Sequence, residues 1–226
     1  MVKAETAVTE AFSAGINYLM DKYGMSSSEA VELYGMPDPN CVHTQIFNYD
    51  LSQVAPWIAL PDGPNSGVSL STFNGDVKID LAYLVSCTLG LNDLIEAAAV
   101  LVDKRVAEET KLIIVPSSEQ VGQVAIKLGL MEIFSQAGAE IIYESVCGPC
   151  IGEDEFAVKR GQKAISASNR NFRGRMGSRE AEVYLGGPFL TALSAIYGYI
   201  PKVEDYRKEQ DRIIRNLTDL RSRLSG

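Results

Sequence analysis

The sequence predicts an α/β fold: a three-layer αβα arrangement around a mainly parallel sheet, flanked by N- and C-terminal helices. Three observations carry this. Several apolar runs are continuous rather than alternating, as strands buried on both faces are. Segments of helical periodicity separate them, which is the βαβ pattern. The chain has 226 residues, 46% of them hydrophobic, enough for one sizeable core.

Residues 4–23 place Ala4, Val8, Ala11, Phe12, Ile16, Leu19 and Tyr23 on one face and predict an amphipathic helix stopped by Gly24. Ser26 and Glu29 can form a capping box for a second short helix over EAVELYG. PDPNC then breaks the pattern, and HTQIFNYDL (43–51) reads as a strand. Residues 56–76 carry three Pro and three Gly and read as an ordered loop. VKIDLAYLVSC predicts a buried strand ending at Cys87. LNDLIEAAAVLVDKRV predicts a helix with Leu94, Ala97, Ala98 and Leu101 inward. KLIIVP reads as a strand, SSEQVGQVAIKLGL and MEIFSQAG as helices, and AEIIYESV as a third strand. KAISAS is a fourth strand and GPFLTALSAIYGY a helix. From Val203 to Leu224 a last helix carries a stripe of Tyr206, Gln210, Ile213, Leu217, Leu220 and Leu224, read as packing on the domain's own surface. The expected domains are a helical segment 1–36, an α/β domain 37–201 and a C-terminal helix 202–226.

Composition narrows the function. A net charge of −8 argues against nucleic acid as a partner. No apolar run reaches the ~18 residues of a membrane span, and the N-terminus has no signal-peptide core, so a cytoplasmic protein without membrane association is expected. One histidine, His43, leaves no room for a His-rich zinc site. The cysteines are Cys41, Cys87, Cys147 and Cys150, and without a secretory signal they point to metal or redox chemistry.

In a parallel α/β sheet, ligands bind outside the carboxyl ends of the strands. Cys87 follows one strand, Cys147 and Cys150 another, and NRNFRGR a third, so the three would meet at one sheet edge. CGPC is compatible with three chemistries. A redox dithiol sits at the start of a helix, but IGEDEFAV continues poorly as one. Zinc needs four closed ligands, and the 60 residues from Cys87 to Cys147 are a long step for a zinc module. Three thiolates could instead hold three irons of a cubane and leave the fourth open as a Lewis acid.

The motifs PDPNC (37–41), SCT (86–88) with NDLIEAA, IIVPSSEQV (113–121), GLMEIFSQAGAEI (129–141), CGPCIG (147–152) and SNRNFRGRMGSREAEVYLGGP (168–188) occur in this order. Through them the chain resembles the iron–sulfur domain of the aconitase superfamily, especially the large subunits of 3-isopropylmalate dehydratase and homoaconitase, from about Pro37 to Pro201. The resemblance implies a [4Fe–4S] cluster with one open iron, ligated by Cys87, Cys147 and Cys150. Gly148 and Gly152, without side chains, are read as letting the backbone approach the cluster and point N–H groups at its sulfurs. The resemblance also implies that Asn169 lies beside the cluster and that Arg170 and Arg175 bind substrate carboxylate. Arginine's planar fork suits that role. Arg160, Lys163, Arg173 and Arg179 are read as a solvated rim. The implied reaction is isomerisation of a hydroxy di- or tricarboxylate by dehydration and rehydration. The implied partners are a complementary aconitase-like domain or subunit and a swivelling small subunit.

Three features depart from the family's pattern. Thr88-Leu89-Gly90-Leu91 replaces T-N-G-R, EDEFAV replaces a Gly- and His-containing stretch, and Gly187-Pro188 replaces S-P. These changes are expected at the cluster edge. The chain offers no convincing base: His43 is remote in sequence, and Ser168 is a weak candidate. A partner chain is expected to supply it. The competing reading is a non-catalytic cluster-binding sensor or scaffold module.

Overall fold

The computed structural model describes residues 15–34, 54–144 and 146–225, with isolated positions between 42 and 50. PDPNC, with Cys41, and His43 lie outside the described residues, as does much of the strand expected over 43–51. The chain divides into two compact units, Met1–Val54 and Ala55–Gly226.

In the first unit, residues 15–23 are helical (α1) and Ser27–Tyr34 forms α2. Gly24 ends α1 at φ 64°, and its N–H donates to the Met20 carbonyl. The expected capping box is present: Ser26 N–H donates to Glu29 Oε2 at 2.9 Å, and Glu29 N–H donates to Ser26 Oγ at 3.3 Å. Ile16 and Ala30 are buried, whereas Tyr23, placed by periodicity on the apolar face, is exposed.

The second unit is built on a seven-stranded sheet. Its strands are β1 (Trp57–Ala59), β2 (Gly67–Ser69), β4 (Leu81–Val85), β5 (Lys111–Val115), β6 (Glu140–Ile141), β7 (Lys163–Ser166) and β8 (Glu182–Leu185). The order is β2-β1-β8-β7-β4-β5-β6. The run from β8 to β6 is parallel, and β1 is antiparallel to both its neighbours. β3 (Val77–Lys78) and β9 (Tyr199–Ile200) form a separate antiparallel pair.

Each central strand divides its side chains between two cores, as a period of two requires. Ala82, Leu84, Leu112, Ile114, Ile165 and Tyr184 face one side. Leu81, Tyr83, Val85, Ile113, Val115, Ala164 and Val183 face the other. Four helices bury residues in the first core: α3 (Leu91–Leu101), α5 (Leu130–Ala137), α7 (Pro188–Tyr197) and α8 (Val203–Ser222). α4 (Glu119–Lys127) adds Ala125. The second core is covered by Val158, Met176, Phe156 and Cys150, which belong to loops, a 3-10 turn and the one-turn helix α6 (Gly148–Ile151). The third layer is therefore thin, and it is made of the segments that carry the motifs.

The structure departs from the expected elements at four places. The strand expected over VKIDLAYLV is two strands, interrupted at Asp80. The Asp80 backbone N–H donates to Lys163 O, its carbonyl accepts from Lys111 N–H, and its carboxylate accepts from Lys163 N–H. It thus staples the start of β4 to both neighbours. The stretch 56–76 contains the β1–β2 hairpin. The third strand is only Glu140–Ile141. β8 lies inside the motif that follows NRNFRGR.

Candidate metal centre

β4, β5 and β7 are neighbours, and β6 adjoins β5, so their carboxyl ends open on one sheet edge. A cleft of about 140 Å³ lies there. Cys87 and Ser86 line it from the end of β4, and Val115, Pro116 and Ser117 from the end of β5. Val146, Cys147, Cys150 and Ile151 come from the segment after β6, and Arg175 from the loop after β7.

Local chemistry sets each cysteine. Ser86 Oγ and Thr88 Oγ1 are 2.7 Å apart, Thr88 N–H donates to Ser86 Oγ at 3.1 Å, and Leu89 N–H donates to Ser86 O at 3.1 Å. This tight turn leaves Cys87 exposed at its tip. Leu89 anchors the turn from beneath, 2% exposed in the main core. Leu91 packs beside it. The expectation that both leucines alter the cluster edge is thus corrected: neither lines the cleft.

CGPC forms a single helical turn. Cys147 is the N-cap of α6, its carbonyl accepts from Cys150 N–H at 2.9 Å, and Pro149 occupies the first turn, where its missing N–H costs nothing. Gly152 ends the turn at φ 67°. A Cβ there would stand 2.1 Å from the Met176 carbonyl carbon, so only glycine lets this chain pass the NRNFRGR loop. Gly148 has no such constraint: a Cβ there would meet only ordinary contacts.

The loop after β7 is fixed by Asn171, 1% exposed, whose amide donates to Leu60 O and Val183 O at 2.8 Å each. Sequence reading passed over this residue, although it lies within NRNFRGR. Val158 N–H donates to Met176 O at 2.7 Å, and Tyr83 Oη donates to Phe156 O at 2.7 Å from beneath. Burial pushes the Tyr83 phenol far up, so it stays a neutral donor.

Around the cleft, Arg175 Nη2 donates to Cys150 Sγ at 3.4 Å and to Asn169 Oδ1 at 3.4 Å. Asn169 Nδ2 makes a long 4.0 Å contact to Cys87 Sγ. The structure thus brings together Cys87, Cys147, Cys150, Asn169 and Arg175. It does not bring in Arg170, which is exposed and outside the cleft wall, or Gly148. Ser168 Oγ donates to Arg170 O at 3.3 Å and does not line the cleft. Arg160 pairs with Glu180, Lys163 with Glu182 at 3.0 Å, and Arg173 donates to Arg179 O; none of these lines the cleft, and Lys163 and Glu182 open β7 and β8 at the opposite, amino ends of the strands. Among the described residues, no three His, Cys, Asp or Glu side chains are grouped to hold a single metal ion, and no helix is long and apolar enough to cross a membrane. The thiols stand around the walls of one cleft, with amide and guanidinium donors between them. That donor set fits a thiolate-ligated cluster.

The chain matches the aconitase family (aconitate hydratase) over residues 4–198. It is 41% identical over 169 residues to the 3-isopropylmalate dehydratase large subunit of Halothermothrix orenii, which is 74% of this chain and 40% of that protein. It is 38% identical over 207 residues to 3-isopropylmalate dehydratase large subunit 1 of Pyrococcus furiosus, 91% of this chain and 47% of that protein. Against the large subunit of Campylobacter fetus it is 42% identical over 165 residues, 72% and 39% of the two chains. The chain spans less than half the length of these relatives. With the family match running over most of its residues, the chain belongs to the aconitase family.

Proposed function

We propose that this chain is the cluster-holding part of a hydro-lyase that isomerises a hydroxy di- or tricarboxylate, 3-isopropylmalate-, homoaconitate- or aconitate-like. One observation carries the reading: three cysteines from two strand ends line one cleft with an arginine from a third. Cys87, Cys147 and Cys150 would hold a [4Fe–4S] cluster, which when bound supplies the Lewis acid that dehydration of a hydroxy acid needs. Arg175 and, from the open side, Arg170 would hold carboxylates through charge-assisted hydrogen bonds. Asn169 would keep Arg175 in place, since its Oδ1 accepts from Nη2. Leu89 packs in the core and Leu91 against it, and neither lines the cleft. The base would come from a complementary domain or subunit, and a swivelling small subunit would close the site.

A second reading, a cluster-binding sensor or scaffold, is favoured by the cleft wall itself: among the described residues it has no carboxylate and no imidazole. Anaerobic reconstitution with ferrous iron and sulfide tests both. The expected result is a brown protein with broad visible absorption, lost in Cys87→Ser and Cys150→Ser. A colourless protein holding one zinc ion would overturn both readings. Dehydration of a hydroxy acid by the reconstituted chain alone would overturn the external base.

A further inference from the structure

We infer that Arg175 is the charge partner of the Cys150 ligand, a positioning residue for the metal centre rather than only a fork for substrate. The inference rests on the cluster reading above and deepens it. Arg175 Nη2 lies 3.4 Å from Cys150 Sγ and 3.4 Å from Asn169 Oδ1. Asn169 in turn points its Nδ2 at Cys87 Sγ, 4.0 Å away. One guanidinium edge is thereby committed to a thiol, and a chain of contacts, Cys87–Asn169–Arg175–Cys150, with a long first link, runs between two strand ends. The rest of the side chain is held too. Its carbon Cζ sits 5.7 Å from the centre of the Phe172 ring, a cation–π contact. Its Nε is buried without a partner, so the group is placed for contacts other than its own solvation.

The guanidinium is always charged and planar, so it can serve a sulfur and an amide oxygen from one nitrogen while leaving Nη1 for a carboxylate. A fixed positive charge beside a ligand thiolate, in a partly desolvated cleft, favours the more negative state of whatever the thiolate binds. It also draws electron density from that ligand. Arg170 is exposed and accepts from Ser168 Oγ through its backbone carbonyl, which leaves its guanidinium the freer fork. The two arginines then divide the work: Arg170 meets substrate, and Arg175 ties the substrate side of the cleft to Cys150.

The test uses the full chain, reconstituted anaerobically with iron and sulfide, and measures the cluster's midpoint potential by spectroelectrochemistry. Arg175→Gln is expected to weaken stabilisation of the reduced form about tenfold, a potential ~59 mV more negative for one electron. Arg175→Lys keeps the charge and is expected to restore most of the shift. Asn169→Ala is expected to move the potential in the same direction by less. Iron uptake by Arg175→Lys but not by Arg175→Gln also supports the inference. Equal potentials in wild type and Arg175→Gln overturn it while leaving the cluster reading intact. Failure of both Arg175 variants to take up iron, with circular dichroism unchanged, overturns the charge role in favour of shape alone. A wild-type chain that takes up no cluster overturns both readings.

Discussion

Gly152 shows how much a single residue decides. It sits at φ 67°, where a side chain is strained, and a Cβ would meet the Met176 backbone at 2.1 Å. Backbone cannot step aside as a flexible side chain can, so Gly152→Ala is expected to cost about 1–3 kcal/mol and to displace Cys150 from Arg175. Urea unfolding of the apo protein reads the first effect and iron uptake the second. An unchanged unfolding midpoint would show that the two loops part easily. Leu89 teaches the converse. The sequence marks it as a departure from a family pattern beside a cysteine, and so as a change at the site. The structure turns it into the core, 2% exposed. A residue two positions after a ligand in a tight turn points away from that ligand, and only the turn's hydrogen bonds reveal the direction.

At the scale of elements, the parallel strands were legible because burial on both faces leaves a continuous apolar run, as in β4 and β5. The β1–β2 hairpin was not, because its strands have three residues each among prolines and glycines, and it gains its place from pairing with β8. The break at Asp80 was hidden for a related reason: the charge reads as an interruption only once its partners on β5 and β7 are known. α8 could be read as a stripe, and Ile213 and Leu220 are indeed buried, but Leu224 is exposed. The polar half of α8 does more than pattern suggests. Arg212 and Asn216 donate to the Val100 and Ala99 carbonyls, at 3.1 and 2.9 Å, and so cap the end of α3. The same pair of helices carries a titrating group. Burial pushes the Glu96 carboxyl above the ordinary glutamate range, the Asp93 carboxylate on its own helix adds to this, and Arg221 from α8 opposes it. Tyr206 from α8 also faces it. The folded state therefore holds the Glu96 proton more tightly than the unfolded chain does. Stability falls as pH rises from the ordinary glutamate value, near 4.3, through the raised one. Glu96→Gln is expected to raise the thermal midpoint at neutral pH and to leave it nearly unchanged near pH 4. Thermal unfolding across that window checks it, and a variant whose gain is the same at both ends would place the effect elsewhere.

For the whole molecule, what matters is that topology collects what the sequence scatters. Cys87 and Cys150 are 63 positions apart, and Arg175 lies 25 beyond Cys150. The strand order β7-β4-β5-β6 is what sets their loops side by side. The site was legible from the cysteine and arginine positions once a parallel sheet was expected. The contributions of β5, through Pro116 and Ser117, and of Asn171 were not, because nothing in their residue types marks chemistry. The same topology limits what this chain does by itself. Among the described residues its cleft wall presents thiols, hydroxyls and a guanidinium but no carboxylate or imidazole, the groups that usually take a proton from carbon, so on the proposed reading it would hold a cluster and a carboxylate and leave the base to another chain. The relatives are more than twice as long as the stretch they share with it. The expectation is a division of labour that can be measured. The reconstituted chain should bind a hydroxy dicarboxylate weakly, seen as a change in the cluster's spectrum, and should turn over none of it. Mixing it with a polypeptide that supplies the remaining part of a large subunit, together with a small subunit, should restore dehydration to the unsaturated acid. Arg170→Ala should then raise KM more than it lowers kcat if that arginine only binds substrate. A mixture that stays inactive while the substrate still perturbs the spectrum would turn the choice toward the sensor.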